Sequence, residues 1–397
     1  MNTDNTKLCV LPWIHLEVQP NGYITQCCVN KNFVTDQDNN PININTATIT
    51  SAWNCSSIKM NREQFLEGKI PSGCENCFKD ENSSYTSLRQ RKNEEFKYVF
   101  NKISKSMLAA SPVSLDLKFG NLCNLKCRIC SPEQSSSWYQ ESISHNEVTH
   151  LKESINLYSW PSNNQNFWND LFNHIQDIQK IDIYGGEPLL IKEHVDFLKM
   201  CIQTKHSEHI SLCYSTNGTI YSDELINQIW PYFSSVTLLF SIDDTEKRFE
   251  YQRYPAKWSS ININVDKYIE SRRVNILVGT TVNIYNIFYL EEIYNWAIKK
   301  SIPIWLNLLH DPAHLCVQSL PRKTKDLISE KYTNPNLPHR FKQMIEPIVS
   351  FMNVETSNDG HFMQFFDYTS KLDQRRNQSF QKTFPEFASH ILPISQR

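Results

Sequence analysis

The chain lacks a long apolar run, an N-terminal leader pattern and an excess of positive charge. No stretch of about 18 consecutive apolar residues occurs, so we expect no membrane-spanning helix and no membrane partner. The N-terminus "MNTDNTKLCVLPW" has no basic start followed by an apolar segment, which argues against a secretory leader and predicts a cytoplasmic location. The formal net charge of −2 provides no broad basic surface, so we expect no nucleic-acid partner.

Internal repeats and strongly low-complexity segments are also missing. The 397 residues are 40% hydrophobic and 12% aromatic, which is sufficient for two or three globular domains with a sizeable core. Twelve cysteines are present, and several of them are clustered. In a large chain without a leader, clustered cysteines indicate metal or redox chemistry more often than disulfides.

The pattern of the chain predicts three parts. Residues 1–110 contain two turn-rich cysteine segments and end in a charged, helix-compatible stretch, "SLRQRKNEEFKYVFNKISKSMLAA". Residues 111–310 alternate between apolar and helix-compatible segments, and residues 311–397 are polar with the amphipathic stretch "HRFKQMIEPIVSFM". The last part is therefore predicted to be a mainly helical extension.

Six segments of the middle part have the composition of buried strands. They are "VSLDLKF" (113–119), "KIDIYG" (180–185), "HISLCYST" (209–216), "SVTLLFSID" (235–243), "VNILVGTTVN" (274–283) and "PIWLNLL" (303–309). Helix-compatible stretches such as "KEHVDFLKMCIQTKHS" and "NIFYLEEIYNWAIKKS" lie between them. Repeated strand–helix units predict an α/β fold with a partial (β/α)6 TIM-like barrel, whose chemistry lies at the C-terminal ends of the strands.

Three cysteines follow the first predicted strand, in "FGNLCNLKCRICSPEQSSSW". Cys123, Cys127 and Cys130 have no fourth cysteine or histidine close by. Three thiolates suit a soft metal or an iron–sulfur cluster, whereas a structural zinc site is normally closed by four ligands. A zinc site completed from a distance, or simply buried thiols, remain alternatives for this loop.

Further turn and polar segments follow the next four predicted strands. "YGGEPLL" (184–190) follows the second, and its two glycines allow a ligand to approach the backbone closely. "YSTNGT", "FSIDD" and "TTVNIYN" end the third, fourth and fifth strands, and "EYQRYP" follows the fourth. All of these segments are predicted to meet at one end of the barrel.

The segment "CNLKCRIC" resembles the CxxxCxxC signature of the radical S-adenosylmethionine (SAM) superfamily. The resemblance implies a [4Fe–4S] cluster that is held by Cys123, Cys127 and Cys130, with SAM bound to the open iron. It also implies that "GGEP" binds the SAM amino group and that polar strand-end residues contact the rest of SAM. The implied cofactor-binding residues are Gly185, Gly186, Glu187, Pro188, Ser215, Asn217, Ser241, Asp243, Arg253 and Asn283.

The N-terminal cysteines form a second group. Cys9, one of the adjacent Cys27 and Cys28, Cys74 and Cys77 could supply four thiolates. "QPNGYI" predicts a hairpin that returns the chain toward Cys9. From the residues alone this is a four-cysteine metal site, for which zinc is a serious alternative.

The N-terminal pattern resembles the twitch domain, a shortened relative of the SPASM domain, placed here before the barrel. This resemblance implies an auxiliary [4Fe–4S] cluster with Cys9, Cys27, Cys74 and Cys77 as ligands. Neighbouring side chains on a strand point to opposite faces, so only one member of the Cys27–Cys28 pair is expected to bind.

The resemblance implies a radical SAM enzyme, with oxidoreductase chemistry favoured. Such an enzyme cleaves SAM reductively to a 5′-deoxyadenosyl radical, which abstracts a hydrogen atom from a peptide or amino-acid-like substrate and leads to oxidation, a cross-link or epimerisation. Its partners are the substrate and a low-potential electron donor such as flavodoxin or ferredoxin. A non-peptide small-molecule substrate and a non-catalytic metal-binding interaction protein remain alternatives.

The segment after the sixth strand is predicted to border the substrate pocket. It contains His310, Asp311, His314 and Cys316, which are candidates for proton or hydrogen transfer. Cys316 is the candidate catalytic residue, because a thiol can return a hydrogen atom to a substrate radical.

Overall fold

One eight-stranded sheet organises the molecule. The structure is a computed structural model that describes residues 7–99, 111–147, 155–355 and 360–391. The strands are β1 (His15–Val18), β2 (Ile24–Thr25), β3 (Ser114–Lys118), β4 (Lys180–Tyr184), β5 (Ser211–Thr216), β6 (Ser235–Ser241), β7 (Asn275–Val282) and β8 (Ile304–Leu308). They are arranged in the order β2-β1-β3-β4-β5-β6-β7-β8, and every neighbouring pair except β1–β2 is parallel.

The predicted α/β fold and all six predicted strands are confirmed, as β3 to β8. In the described part of the chain β2 and β8 are the two edges of the sheet, so the barrel is open. A seventh parallel strand, β1, was not predicted. It pairs with β3 across a long connection, and a pattern within "HLEV" cannot reveal such a distant partner.

The predicted hairpin joins β1 to β2. Gly22 has a φ of +81°, and its backbone N–H donates to the carbonyl of Gln19 over 2.8 Å. A Cβ at this position would lie 2.8 Å from Asn43 Oδ1, so the turn requires glycine on both counts. Because β1 belongs to the main sheet, the cysteine-rich part contributes a strand to the barrel. The division of the chain at residues 110 and 310 stays a prediction.

The two faces of the sheet differ sharply in polarity. On β3, Leu115 and Leu117 are fully buried in the apolar core beneath the helices. Asp116 and Lys118 alternate with them and face the inside of the partial barrel. Lys118 there pairs with Glu17 of β1 over 2.6 Å. The inner face is therefore lined by paired, buried charges.

Helices cover the outside of the sheet and form the C-terminal extension. They are α1 (Ile49–Trp53), α2 (Ser56–Leu66), α3 (Glu75–Asn82), α4 (Leu88–Glu95), α5 (Ser136–Ser144), α6 (Trp160–Asn163), α7 (Gln165–Asn173), α8 (Glu193–Gln203), α9 (Glu246–Gln252), α10 (Trp258–Ser271), α11 (Leu290–Lys299), α12 (Arg322–Tyr332), α13 (His339–Asn353), α14 (His361–Arg376), α15 (Phe380–Thr383) and α16 (Pro385–Ile391). After β5 the chain forms a π-helical turn, Leu225–Ile229, in place of an α-helix.

The predicted helices are confirmed where the structure describes them. They correspond to α8, α11 and α13, and the start of the charged stretch 87–110 forms α4. The part of that stretch from residue 100 onward lies outside the described residues. None of the helices in the described ranges is long and apolar enough to cross a membrane.

The C-terminal helices have an apolar core of their own beside β7 and β8. Phe365 and Phe384 are fully buried there against Tyr285, which follows β7, and Phe341 is fully buried against Tyr294 and Tyr332. The predicted helical extension is thereby confirmed, and it packs beside the strand ends where chemistry was expected.

Candidate functional site

A cavity of about 760 Å³ lies at the C-terminal ends of the central strands. Its wall contains predicted site residues from four segments, which lie at or after the ends of the strands β3, β4, β5 and β6. Those predicted as ligands or SAM contacts are Cys123, Cys127, Cys130, Gly185, Gly186, Ser215, Asn217, Ser241 and Arg253. We call this space the SAM cavity.

Serines at the start of α5 hold the three-cysteine loop. Ser135 accepts a hydrogen bond from the Trp138 backbone N–H, as a helix cap, and donates to the carbonyl of Leu125 over 2.6 Å. Ser137 donates to the carbonyl of Cys123, and the Trp138 indole donates to the carbonyl of Cys127, both over 2.7 Å. The serine run after the third cysteine therefore shapes the loop.

The two glycines bring the turn after β4 against this loop. Gly185 has a φ of +103°, and a Cβ at Gly186 would lie only 2.1 Å from the carbonyl oxygen of Leu122. The Glu187 backbone N–H donates to the same carbonyl over 2.7 Å. Neither glycine can be replaced without moving the cysteine loop or the turn.

Glu187 and Pro188 lie behind the cavity wall. The Glu187 carboxylate is fully buried and accepts from Thr216 Oγ1 and from the backbone N–H of Asn217, each over 2.7 Å. Burial raises the pKa of Glu187 to about 7. Pro188 is buried at the start of a 3₁₀ turn. Glu187 thus fixes the backbone that presents Asn217 and does not line the cavity itself.

Arg253 connects the fourth strand end to the cysteine loop. Its Nη2 lies 2.7 Å from Asp243 Oδ2, and its Nη1 donates to Cys127 Sγ over 3.8 Å. Within the described residues its buried Nε has no hydrogen-bond partner. Burial alone would lower the pKa of Arg253. The charges of Asp243 and Cys127 outweigh the effect of burial, so the pKa of Arg253 is raised. A fixed guanidinium at the cavity wall suits an anionic group.

Asn283 does not reach this wall. It is fully buried, donates to the carbonyl of Thr281 over 2.9 Å, and accepts from the Tyr285 backbone N–H over 2.8 Å. Its side chain shapes the turn after β7. The placement differs from the predicted SAM contact because an asparagine at a strand end can satisfy the local backbone instead.

A second cavity of about 510 Å³ adjoins the first. Cys316 and His310 line it, and Asp311 lines both cavities. His310 Nε2 lies 3.1 Å from Asp80 Oδ1 of α3. His314 lies on neither wall. The segment after β8 therefore borders an open space beside the SAM cavity, and its predicted place at the substrate pocket stays a prediction.

The C-terminal helix α14 contacts the cysteine loop through Arg128. We call the contacts of Arg128 with Asp373, Tyr368 and Tyr251 the C-terminal clamp. This fully buried arginine stacks 3.6 Å above the Tyr251 ring and pairs with Asp373 over 2.5 Å. Tyr251 also donates to Asp373 over 2.7 Å, and Tyr368 donates to the Arg128 carbonyl over 2.6 Å. Sequence reasoning missed this clamp, because its partners lie about 240 residues apart.

Two residues of the inner barrel face were also missed. Lys118 and Tyr184, the last residues of β3 and β4, line the SAM cavity. The polar positions that alternate with apolar ones in "SLDLK" and "KIDIY" were the available signal.

The N-terminal cysteines also meet at one place. Cys9, Cys27, Cys74 and Cys77 line a single small cavity. Asn30 Nδ2 donates to Cys74 Sγ over 3.4 Å. Burial raises the pKa of all four thiols, and a positively charged cluster would offset that cost by stabilising the thiolates.

Cys28 lies outside this small cavity. The residue is exposed, and its thiol lies near the carboxylates of Glu17 and Asp116 on the inner sheet face. The adjacent cysteines are thus directed to different environments by the turn that follows β2, and not by the expected strand alternation, because β2 ends at Thr25.

Both cysteine sets fit an iron–sulfur cluster. The SAM cavity has three thiols, a guanidinium and an open space, and the N-terminal cavity has four thiols. Within the residues that the structure describes, no three His, Cys, Asp or Glu side chains are placed to hold a single metal ion.

Family models match both parts of the chain. The model of the radical SAM superfamily matches residues 117–296, and a model described as an iron–sulfur cluster-binding domain, SPASM, matches residues 9–78. The two matched segments contain the two cysteine sets and imply [4Fe–4S] clusters.

The chain is similar to curated proteins over part of its length. It is 31% identical over 105 residues to a GTP 3′,8-cyclase of Aliarcobacter butzleri, which is 25% of each protein. It is 25% identical over 190 residues to a GTP 3′,8-cyclase of Haemophilus ducreyi, which is 47% of this chain and 50% of that protein. The chain therefore matches half or less of the length of these relatives.

Solved structures with a similar fold include anSMEcpe with bound AdoMet and a Cp18Cys peptide. That match has 15% identity and a TM-score of 0.37, and covers 55% of this chain and 60% of the other. Streptococcus suis SuiB bound to the precursor peptide SuiA matches with 10% identity and a TM-score of 0.35, over 94% of this chain and 74% of the other.

The match over residues 117–296 contains the end of β3 and the strands β4 to β7, and the match over residues 9–78 contains β1, β2 and the N-terminal cysteines. The signature cysteines lie in the wall of one cavity at the C-terminal strand ends, and a second set of four cysteines lies before the barrel. This chain contains a radical SAM domain, matched over residues 117–296, and an N-terminal SPASM-type iron–sulfur cluster-binding domain, matched over residues 9–78.

Proposed function

We propose that this protein cleaves SAM reductively and abstracts a hydrogen atom from a peptide or amino-acid-like substrate. One observation carries the proposal: the three signature cysteines line the same cavity as Gly185, Gly186 and Arg253. That arrangement places groups for a cluster, an ammonium and a carboxylate around one space.

The residues of the SAM cavity have distinct roles in this proposal. When bound, the reduced cluster and SAM supply the 5′-deoxyadenosyl radical that removes a substrate hydrogen atom. Cys123, Cys127 and Cys130 hold the cluster, backbone carbonyls near Gly185 accept from the SAM ammonium, and Arg253 pairs with its carboxylate. The surrounding strand-end residues exclude water from the reacting atoms.

Reductive SAM cleavage tests the proposal directly. The full chain is reconstituted anaerobically with iron and sulfide and then mixed with SAM and dithionite. Methionine and 5′-deoxyadenosine should form in equal amounts, and reduced flavodoxin or ferredoxin should be able to replace dithionite. Absence of 5′-deoxyadenosine from a fully loaded protein would overturn the proposal and favour a metal-binding interaction protein.

Replacement of Arg253 should weaken SAM binding. A charge-assisted hydrogen bond contributes about 1.5–3 kcal/mol, so Arg253→Ala is expected to raise the Kd for SAM by about 10- to 150-fold. Equilibrium dialysis of the reconstituted protein measures this change. Arg248→Ala is the matched control, since Arg248 pairs with Asp244 but does not line the cavity. A wild-type Kd for Arg253→Ala would exclude the assigned contact.

Loss of the C-terminal clamp should disturb the cluster loop. Asp373→Ala leaves the buried Arg128 charge without its carboxylate, and breaking a buried pair typically costs about 3–5 kcal/mol. We expect a lower unfolding midpoint and faster loss of iron from the protein in the presence of a chelator. Asp326→Ala, which removes an exposed pair with Arg322, should leave both measurements unchanged. Equal iron retention by the two variants would contradict the prediction that the C-terminal clamp stabilises the cysteine loop.

The substrate class is proposed from the second cavity. Its opening toward solvent and its contact with the SAM cavity at Asp311 leave room for a chain that extends beyond the reacting residue. A non-peptide substrate is the second candidate, favoured by the similarity to proteins named GTP 3′,8-cyclase over 190 residues.

Cys316 is proposed to return a hydrogen atom to the substrate radical. Its thiol lines the second cavity, and burial raises its pKa to about 11, so the S–H form predominates at neutral pH. The S–H bond breaks and a substrate C–H bond forms. The resulting thiyl radical is then reduced by one electron from the external donor, together with one proton.

Turnover in D₂O tests this role of Cys316. Peptides recovered from the wild-type reaction should carry one deuterium at the reacting carbon, because the thiol hydrogen exchanges with solvent. Cys316→Ala should lose this deuterium, whereas Cys213→Ala, which lines neither cavity, should retain it. Full deuterium incorporation by Cys316→Ala would exclude the thiol as donor.

A further inference from the structure

We infer that the second cavity docks the portion of the substrate that lies outside the SAM cavity, and that this portion carries a carboxylate which binds Lys79. The inference rests on the proposed function and specifies its substrate: a peptide with an acidic group near the reacting residue.

The position of the second cavity supports a docking role. Its walls come from three separate parts of the chain: the cysteine-rich part, the segment after β8 and the C-terminal helices. Asn76 in its wall lies between Cys74 and Cys77 in sequence, and Asp311 is shared with the SAM cavity. A chain bound here therefore extends from the SAM cavity toward the N-terminal cysteine site.

An exposed ion pair lies where the two cavities share Asp311. Lys31 pairs with Asp311, and their side chains are 64% and 56% exposed. Exposed ion pairs of this kind contribute little to stability, because water screens them. The two side chains can therefore move apart at low cost, so this pair does not oppose entry of a substrate.

The charges of the cavity favour an anionic group on the cysteine-rich wall. Lys31 is neutralised by Asp311, and Asp80 is engaged by His310. Lys79, the residue before Asp80, is exposed on α3 and forms no ion pair with any described residue. It is thus the cation on this wall that remains available to an incoming ligand.

Other residues that line the second cavity can contact the remaining part of a peptide. Phe351 and Cys316 are buried there and offer apolar contact, and Gln318 offers an amide that already contacts the Phe351 carbonyl over 3.0 Å. Glu355 lines the cavity from the C-terminal helical part of the chain, apart in sequence from the cysteine-rich wall, and would repel an acid near it. A carboxylate is therefore directed toward Lys79.

The test compares peptide charge classes on the full reconstituted chain with SAM present and no reductant. The probes are three fluorescein-labelled hexapeptide pools that contain two fixed Glu, two fixed Gln or two fixed Lys residues, and binding is followed by fluorescence anisotropy. The Glu pool should bind about tenfold more tightly than the other two, as expected for one charge-assisted pair.

Variants assign the preference to Lys79. Lys79→Glu should abolish the tenfold preference, and Lys79→Gln should reduce it. Lys299→Glu, an exposed change on α11, should leave it intact, and unfolding curves confirm that each variant is folded. Equal binding of the three pools, an unchanged preference in Lys79→Glu, or displacement of the Glu pool by unlabelled GTP would each overturn the inference. Because no reductant is used, these results are independent of whether SAM cleavage occurs.

Discussion

Simultaneous replacement of Cys123, Cys127 and Cys130 by alanine is expected to remove about four iron atoms per chain and to abolish 5′-deoxyadenosine formation. All three thiols line the SAM cavity, so no nearby described cysteine can substitute for them there. Iron and acid-labile sulfide analysis after anaerobic reconstitution measures the first effect, and chromatography of the SAM products measures the second.

The design of this experiment separates loss of the cluster from loss of the fold. The N-terminal cavity has its own four cysteines, so the triple variant should retain about four iron atoms. Cys201→Ala, a buried cysteine on α8 outside both cavities, is the matched control and should retain the full complement. Formation of 5′-deoxyadenosine by the triple variant would refute the assignment of the SAM cavity.

Cys27→Ala and Cys28→Ala are expected to have opposite results. Cys27 lines the N-terminal cavity with Cys9, Cys74 and Cys77, so its removal should eliminate the auxiliary cluster and about half of the bound iron. Cys28→Ala should retain both clusters, since Cys28 lies near Glu17 outside that cavity. Cys27→Ala is thus the test of the ligand assignment, and Cys28→Ala is its matched control.

Metal analysis of these single variants also decides the identity of the N-terminal metal. We expect iron and sulfide in the wild-type site, electron transfer to or from a substrate radical, and no open iron for direct substrate contact. Loss of iron from Cys28→Ala with retention by Cys27→Ala would reverse the ligand assignment. Stoichiometric zinc in the wild-type protein after reconstitution would remove the electron-transfer role.

Local patterns predicted the elements of the barrel well. Each of the six strands β3 to β8 is a short apolar or alternating run followed by a turn signal, and these features depend only on neighbouring residues. The three cysteines and the Gly-Gly turn could be predicted from the sequence equally well. Each is a contiguous motif whose spacing determines its chemistry. The two motifs meet because parallel strands have their C-terminal ends at the same end of the barrel.

Polar residues at strand ends were predicted less well. Ser215, Asn217 and Ser241 do line the SAM cavity, whereas Glu187 bonds to Thr216 and Asn217 at the end of β5 and Asn283 bonds to its own turn after β7. Motif position placed all five at the correct end of the barrel. The direction of each side chain depends on competing hydrogen bonds from other strands, which no local pattern contains.

The order of residues alone was sufficient for the strand–helix alternation, the two cysteine sets and the two matched domains, because all of these follow from short-range spacing. Tertiary structure decided that β1 joins the main sheet, that Cys27 and not Cys28 lines the N-terminal cavity, and that Asp373 holds Arg128 in the cysteine loop. It also placed Lys79, Asp311 and Cys316 around one cavity beside the SAM cavity. These contacts join residues tens to hundreds of positions apart, and they form only when the chain closes around a shared core, where burial makes each unpaired charge or polar group costly.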